Sequence, residues 1–524
     1  MLLIQMGKGP KLALLVAVSL TFLFAVHLSR SPSLPTWRLP TSQNAAEIAA
    51  VVPEAPPVQQ QGFVESSQDE AYNAQKASQE AWSHYDPNNP SSPDSLSRKP
   101  KLSHDAARPK ADPLPCESIS GGDDVQVVMR TGATEIKDKL TVHLNTTFKC
   151  YDNLVIFSDY EEEFHGHQVH DVLKYIPDDI KTTNADFRHY QHVLQVGRQG
   201  LDEAELSGGV SEESGPVGKN DNAGWRLDKW KFLPMANQTL AMHPDKKFYV
   251  FVEPDTYLVW SNLLQWIPKL DANKALYYGS EVMIGDDVFA HGGSAFVLTK
   301  PALEQLALAY NARTEELHQY TAGHWAGDCV LGKTLHDMGT ELSWGFPQFQ
   351  GGNPSFSLNW LDMKGPRRLW CTPAVSYHHF VPYEIEDFWH FEQRWIEEQQ
   401  RNSNIKKRSL PFSLWPKELS TVLFHRDTFK RYALPNMTSE RKNWDNSPDW
   451  LYPDTVGIKM SECQKICQAN STCKAYSTSA SGCSIGTEPR FGQKKTGVTS
   501  GWMTQRIEKW VKTMEHCGRD RWVT

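Results

Sequence analysis

The sequence carries no excess of basic residues. Lys and Arg number 54 against 62 Asp and Glu, a formal charge of −8, so the chain has no electrostatic footprint for nucleic acid. Cysteine is sparse, nine in 524 residues, and no paired C-x-x-C spacing occurs, which weighs against structural zinc and toward disulfides. From about Ser31 to Pro115 the chain has no sustained apolar period and is rich in Pro, Ser, Gln, Asn and Ala, the composition of a disordered linker or stalk. No small-x-small cleavage site follows the uncharged run Leu12 to Leu28, where the chain continues His-Leu-Ser-Arg-Ser-Pro. Lys8 and Lys11 precede that run and Arg30 follows it, the pattern of an uncleaved signal anchor with a short cytoplasmic tail. Cleavage and secretion is the alternative.

Aromatic residues are plentiful: 11% of the chain, with 18 tryptophans, most of them suited to a large core and some to a sugar site. The remainder of the chain organises around FYVFVEPDTYLVWSNLL, Phe248 to Leu264. Phe248 to Val252 has the continuous apolar and β-branched character of a strand buried on both faces. It stops at Glu253-Pro254-Asp255, and a helix is expected from Trp260 to Leu270. Acids at the carboxyl end of a buried strand stand where open α/β sheets bind ligands and where a hard cation finds oxygen donors. The same residues also end strands with no chemistry attached.

Other segments supply context. Val125 to Met129 and Asn153 to Phe157 read as strands of a βαβ-type beginning, followed by Arg130-Thr131-Gly132 and Ser158-Asp159 respectively. Gly200 to Asn222 is a Gly/Ser/Glu loop, and Gly224 to Phe232 begins an amphipathic helix. In HGGSAFVL the pair Gly292-Gly293 precedes a strand and permits close approach of a backbone or a ligand. Asp328 stands before the helical stretch Lys333 to Met338, where local reasoning makes it an N-cap. Ala374 to Phe380 is a strand ending in His378-His379, and a histidine beside an aromatic is commonly a hydrogen-bonded core residue.

Taken in order, VEPDTYLVWSNL, HGGSAFVLT, GDCVLG and VSYHHF resemble the Fringe-like glycosyltransferases of family 31, most of all the core 1 β1,3-galactosyltransferases, over roughly residues 120 to 400. Glu253-Pro254-Asp255 replaces three acids usual in that family, and Gly327-Asp328 replaces an acidic pair. The resemblance implies an α/β fold, a GT-A (Rossmann-like) glycosyltransferase domain over 116–440. It implies that Asp255 and His378 bind a divalent metal, Mn²⁺ by preference, with Glu253 beside it and His379 facing the other way. Asp328 would be the catalytic base of an inverting transfer. Asp159, Arg130 and Lys231 would contact the UDP of the donor, and Gly292, Gly293 and Trp325 would shape the donor or acceptor pocket. The implied reaction moves a hexose from a UDP-sugar to a glycan or glycoprotein, galactose in β1,3 linkage first and N-acetylglucosamine next. A catalytically degenerate lumenal binding protein on the same fold is the alternative.

Toward the C-terminus, Cys463, Cys467, Cys473, Cys483 and the closing Ser500-Gly501-Trp502-Met503 resemble a PAN/Apple domain over 449–505, a small disulfide-rich α+β module. That resemblance implies the bridges Cys463 to Cys483 and Cys467 to Cys473, and a protein or carbohydrate ligand. Chain order pairs Cys116 with Cys150 and Cys329 with Cys371, leaving Cys517 free or joined to another chain. Residues 506–524 form a tail. Sequons at Asn145, Asn237, Asn436 and Asn470 fit passage through the secretory pathway. The whole reads as a single-pass type II protein of the Golgi or ER: tail 1–11, anchor 12–28 in the membrane, stalk 29–115, lumenal catalytic domain.

Overall fold

The computed structural model describes residues 113–206, 223–409, 421–438, 440–517 and 522–524. The anchor at 12–28 and nearly all of the stalk lie outside them, as does most of the Gly/Ser/Glu loop. No helix among the described residues is long and apolar enough to cross a membrane.

A mixed eight-stranded sheet is the centre of the part before the C-terminal sheet. Its strands are β1 Val125–Arg130, β2 Leu154–Ser158, β3 Glu162–Phe164, β4 His167–Asp171, β5 Phe248–Val252, β6 Tyr277–Gly279, β7 Phe296–Thr299 and β8 Leu342–Trp344. Their spatial order is β8-β6-β7-β5-β1-β2-β4-β3. Both β5 and β2 run parallel to β1, with Val127 opposite Val250 and Leu154. β7 runs antiparallel to β5, Phe296 opposite Phe251. These directions have one consequence for function. The ends of β1, β2 and β5 and the start of β7 all open on the same edge of the sheet.

Alternation along the central strands builds a layer on each face. Tyr249 and Phe251 of β5 and Val128 of β1 enter one core with Leu227 and Trp230 of α1 (Ala223–Met242), Leu303 and Leu306 of α2 (Lys300–Ala312) and Leu331 of α3 (Gly327–Asp337). Phe248, Val250 and Val252 enter a second core, with Leu263 and Trp266 of the Trp260–Trp266 helix and Phe388 and Ile396 of the long Pro382–Ser409 helix. Both faces of β5 are thereby buried, as its unbroken apolar run predicts. The helix expected to reach Leu270 gives way after Trp266 to a 3₁₀ turn, Ile267–Lys269, because Pro268 has no N–H to donate.

The C-terminal part is a five-stranded antiparallel sheet of β9 Arg441–Asp445, β10 Trp450–Leu451, β11 Ala475–Ser479, β12 Gly482–Gly486 and β13 Gln493–Trp502, ordered β9-β13-β11-β12-β10. The helix Met460–Ala469 is joined to it by Cys463–Cys483, and the bridge Cys467–Cys473 closes the end of that helix. Cys116 pairs with Cys150. The pairing of Cys329 with Cys371 is not formed: Cys371 bonds Cys517 across 146 positions, and Cys329 is a buried free thiol beside Phe289 and Ala326. Chain order cannot see this, since a bridge needs Cα atoms within about 7 Å and the two partners meet only through tertiary packing. The segment 506–524 holds most of an amphipathic helix, Thr504–Met514, whose Ile507, Val511 and Met514 are buried. Among the sequons, Asn145 and Asn436 are exposed, while Asn237 and Asn470 are half-buried, with side-chain oxygens accepting from Asn311 and Thr472.

Phe251 stacks on Phe296 with ring centroids 4.6 Å apart at 7°, so it ties the antiparallel to the parallel half of the sheet. Phe251→Ala should destabilise the protein by roughly 3–5 kcal/mol in denaturant unfolding, whereas a loss under 1 kcal/mol would mean that the stack is dispensable.

Candidate active site

The sharp stop of β5 is held from three directions. The Pro254 carbonyl accepts from His143 Nε2 at 2.7 Å, the Thr256 hydroxyl donates to the Gly293 carbonyl at 2.7 Å, and the Asp255 carbonyl accepts from the Phe380 N–H at 2.9 Å. Proline between the two acids restricts Glu253 to an extended backbone. Asp255 therefore meets the turn after the Ser376–Tyr377 strand, and its Oδ1 lies 3.3 Å from His378 Nε2.

Asp255, His378 and His379 each offer a ligand atom, all within 4.8 Å of one another. His379 does not face away from this group as expected. The strand ends at Tyr377, and His379 takes φ +61°, so period-two alternation no longer applies and its ring lies 3.9 Å from that of His378. Burial and the neighbouring His378 push the His379 pKa down to about 4, leaving it neutral at physiological pH. Burial alone would raise the Asp255 carboxyl; Lys139 and His378 outweigh it and hold it well below the usual carboxylate range. Asp255 Oδ1 and His378 Nδ1 are buried without a well-formed hydrogen bond among the described residues. A carboxylate beside two imidazoles, with buried atoms left without a hydrogen bond, fits a borderline divalent cation such as Mn²⁺.

Asp328 reaches the same glycine pair that packs against His378. Its helix begins at Gly327, with Ala326 as N-cap, so Asp328 sits in the first turn and does not cap it. One carboxylate oxygen accepts from the Gly292 N–H at 2.8 Å and the other from the Cys329 N–H at 2.9 Å. Burial raises its pKa, and those two N–H groups pull the other way. Gly293 is packed against His378: a Cβ there would stand 2.2 Å from the imidazole. Adjacent glycines thus contact Asp328 and His378, which lie 50 positions apart in the chain.

Around these groups runs a buried charge network. Arg130 pairs with Glu253 and, at 3.1 Å, with Asp228, and its guanidinium lies over the Phe232 ring at 4.4 Å. Burial raises the Glu253 carboxyl, opposed by Arg130. Lys231 reaches Asp228 at 2.8 Å, Asp159 at 3.1 Å and the Thr131 carbonyl at 2.8 Å. Asp159 also accepts from the Ala133 N–H at 2.7 Å. Asp159 and Lys231, expected at the nucleotide, are fully buried and bonded to each other and to the turn after β1. Trp325 is half exposed on the loop before α3, its ring parallel to that of His324.

Three groups escaped the sequence reading. Lys139 lies 3.4 Å from Asp255 Oδ2 and 3.0 Å from Glu135; burial works against its charge, but Asp255 and Glu135 outweigh it and hold the ammonium above its ordinary range. Asp228 precedes Lys231 by one helical turn, an i,i+3 spacing that was legible as a pair but not as part of a site. His143, supporting Pro254, has no local signal at all.

Residues 443–489 match the PAN-like domain family. No curated protein is significantly similar to the chain. Among solved structures, a glycosyltransferase involved in the glycosylation of the major capsid of PBCV-1 is similar at 12% identity, covering 51% of this chain and 98% of that one with a TM-score of 0.22.

Because a Cβ at position 293 must displace the His378 ring, Gly293→Ala should weaken Mn²⁺ binding by about 10- to 100-fold, the range seen when a group orienting a metal ligand is lost. Titration of Mn²⁺ by calorimetry checks this, and unchanged affinity would show that His378 is not a ligand.

Proposed function

We propose that the chain is an inverting, metal-dependent glycosyltransferase of GT-A type that transfers a hexose from a UDP-sugar to a glycan or glycoprotein acceptor. One observation carries this reading: adjacent glycines bring together groups far apart in the chain, Gly292 donating to the Asp328 carboxylate and Gly293 packing against His378 of the Asp255–His378–His379 cluster. An inverting transfer needs both a group that holds the leaving diphosphate and a separate carboxylate base.

Asp255, His378 and His379 would hold the cation, whose charge would stabilise the departing diphosphate. Asp328 takes the proton of the acceptor hydroxyl as that oxygen bonds to the anomeric carbon, and the carbon–oxygen bond to UDP breaks with its electron pair leaving on the diphosphate. The N–H of Gly292 keeps the Asp328 carboxylate aimed at one place. Asp159 and Lys231 act one layer back, fixing the turn after β1 beside which the nucleotide would lie. Arg130 and Glu253 form the floor of the donor site, and Trp325 supplies an exposed aromatic surface for a sugar ring. Galactose in β1,3 linkage is the first donor and linkage to test, N-acetylglucosamine the second, with the enzyme anchored by 12–28 as a type II protein of the Golgi or ER.

A second reading is a lumenal binding protein on the same fold. Lys139 favours it, since its ammonium already neutralises Asp255 Oδ2 without a metal.

Residues 107–524 secreted and assayed across UDP-sugars, with and without Mn²⁺, decide between them. Metal-dependent UDP binding lost in Asp255→Ala, and turnover reduced at least about 100-fold but binding kept in Asp328→Asn, are expected for the enzyme. Folded protein with no metal-dependent nucleotide binding would leave the binding protein. A raised Asp328 pKa also fixes the sign of the pH response. The base works only when ionised, so kcat/KM should climb with pH along an acid limb displaced above the usual carboxylate range, and the residual activity of Asp328→Asn should lack that limb.

A further inference from the structure

The turn bearing His378 and His379 is backbone in an unfavourable conformation. A non-glycine residue at φ +61° persists only where its surroundings hold it. The restraint comes from Asn353, whose Nδ2 donates to the His379 carbonyl at 3.1 Å and to Glu384 Oε2 at 2.8 Å. That same Glu384 oxygen accepts from the Val381 N–H at 3.1 Å, so both ends of the turn are tied to one amide–carboxylate pair.

Asn353 is oriented in turn by its Oδ1, which accepts from the Ser355 N–H at 2.7 Å, and the Ser355 carbonyl accepts from the Gly492 N–H at 2.7 Å. Gly492 immediately precedes β13 of the C-terminal sheet. It sits at φ +99°, and a Cβ there would lie 2.1 Å from the Asp445 carbonyl oxygen. Two indoles present this loop: Trp444 Nε1 donates to the Phe491 carbonyl and Trp502 Nε1 to the Arg490 carbonyl, each at 2.7 Å. Trp444, Ala475 and Trp502 share one continuous core with Phe380 and Phe388, so the module is packed on the catalytic part and is not hung from it. A second tie, Cys371–Cys517, anchors the segment that leads into His378 from the other side.

We propose that the PAN-like module positions the catalytic site, holding the His378–Val381 turn in ligating geometry through Gly492, Ser355 and Asn353. The metal role of that turn rests on the function proposed above; the support itself rests on the hydrogen bonds alone. Gly492 and Asn353 are positioning residues and touch neither substrate nor metal.

Full-length protein, Asn353→Ala, Gly492→Ala and Trp444→Phe would be compared by hydrogen exchange of the amides of 378–381 and 248–252 and by titration with Mn²⁺ alone. Trp444→Phe removes the indole N–H while keeping an aromatic side chain in the core, and covers the case in which Gly492→Ala fails to fold. The expected result is exchange at 378–381 faster by about tenfold or more, with 248–252 unchanged, and Mn²⁺ affinity lower by about 10- to 100-fold in Asn353→Ala and Gly492→Ala, less in Trp444→Phe. Unchanged exchange at 378–381 in the folded variants on the module side would overturn the proposal. Should the unaltered protein bind no Mn²⁺, the metal reading fails, while the exchange data still decide whether the module supports the turn.

Discussion

Carboxylates crowd the edge of the central sheet, and the site depends on the cations that keep them there. Asp159, Asp228, Glu253 and Asp255 would repel one another in a dry interior; Arg130, Lys139 and Lys231 interleave them. Removing one partner from such a network leaves a buried charge uncompensated, which costs far more than an exposed ion pair contributes. The network is therefore a poor source of stability and a strong constraint on geometry. It fixes where the turns after β1 and β5 lie, and with them the place where Asp255 is presented.

Backbone without side chains does the complementary work. Gly292 lets the Asp328 carboxylate approach a main-chain N–H, and Gly293 lets the His378 imidazole pack against the backbone. A Cβ at position 293 would have to displace that ring.

The C-terminal module changes how the chain is divided. By composition it is a small disulfide-rich unit of its own, and residues 443–489 match the PAN-like family. By packing it shares one core with the central sheet, and the chain just beyond its following helix is bonded back through Cys517. A boundary drawn from sequence pattern separates what hydrophobic burial and hydrogen bonding join.

Local physics made much of the architecture legible in the sequence. The unbroken run Phe248 to Val252 announced a strand buried on both faces, the β-branched stretches at Val125 and Asn153 two further strands, and the clustered cysteines a stapled module, because strand period, turn chemistry and cysteine spacing are properties of short segments. Tertiary structure alone decided that Cys371 meets Cys517, that Lys139 faces Asp255 across 116 positions, that His379 turns back beside His378, and that Asp328 accepts from Gly292 and caps nothing. Those pairings follow from sheet order and strand direction, which bring distant chain ends to one edge. No window of sequence contains both partners of such a contact.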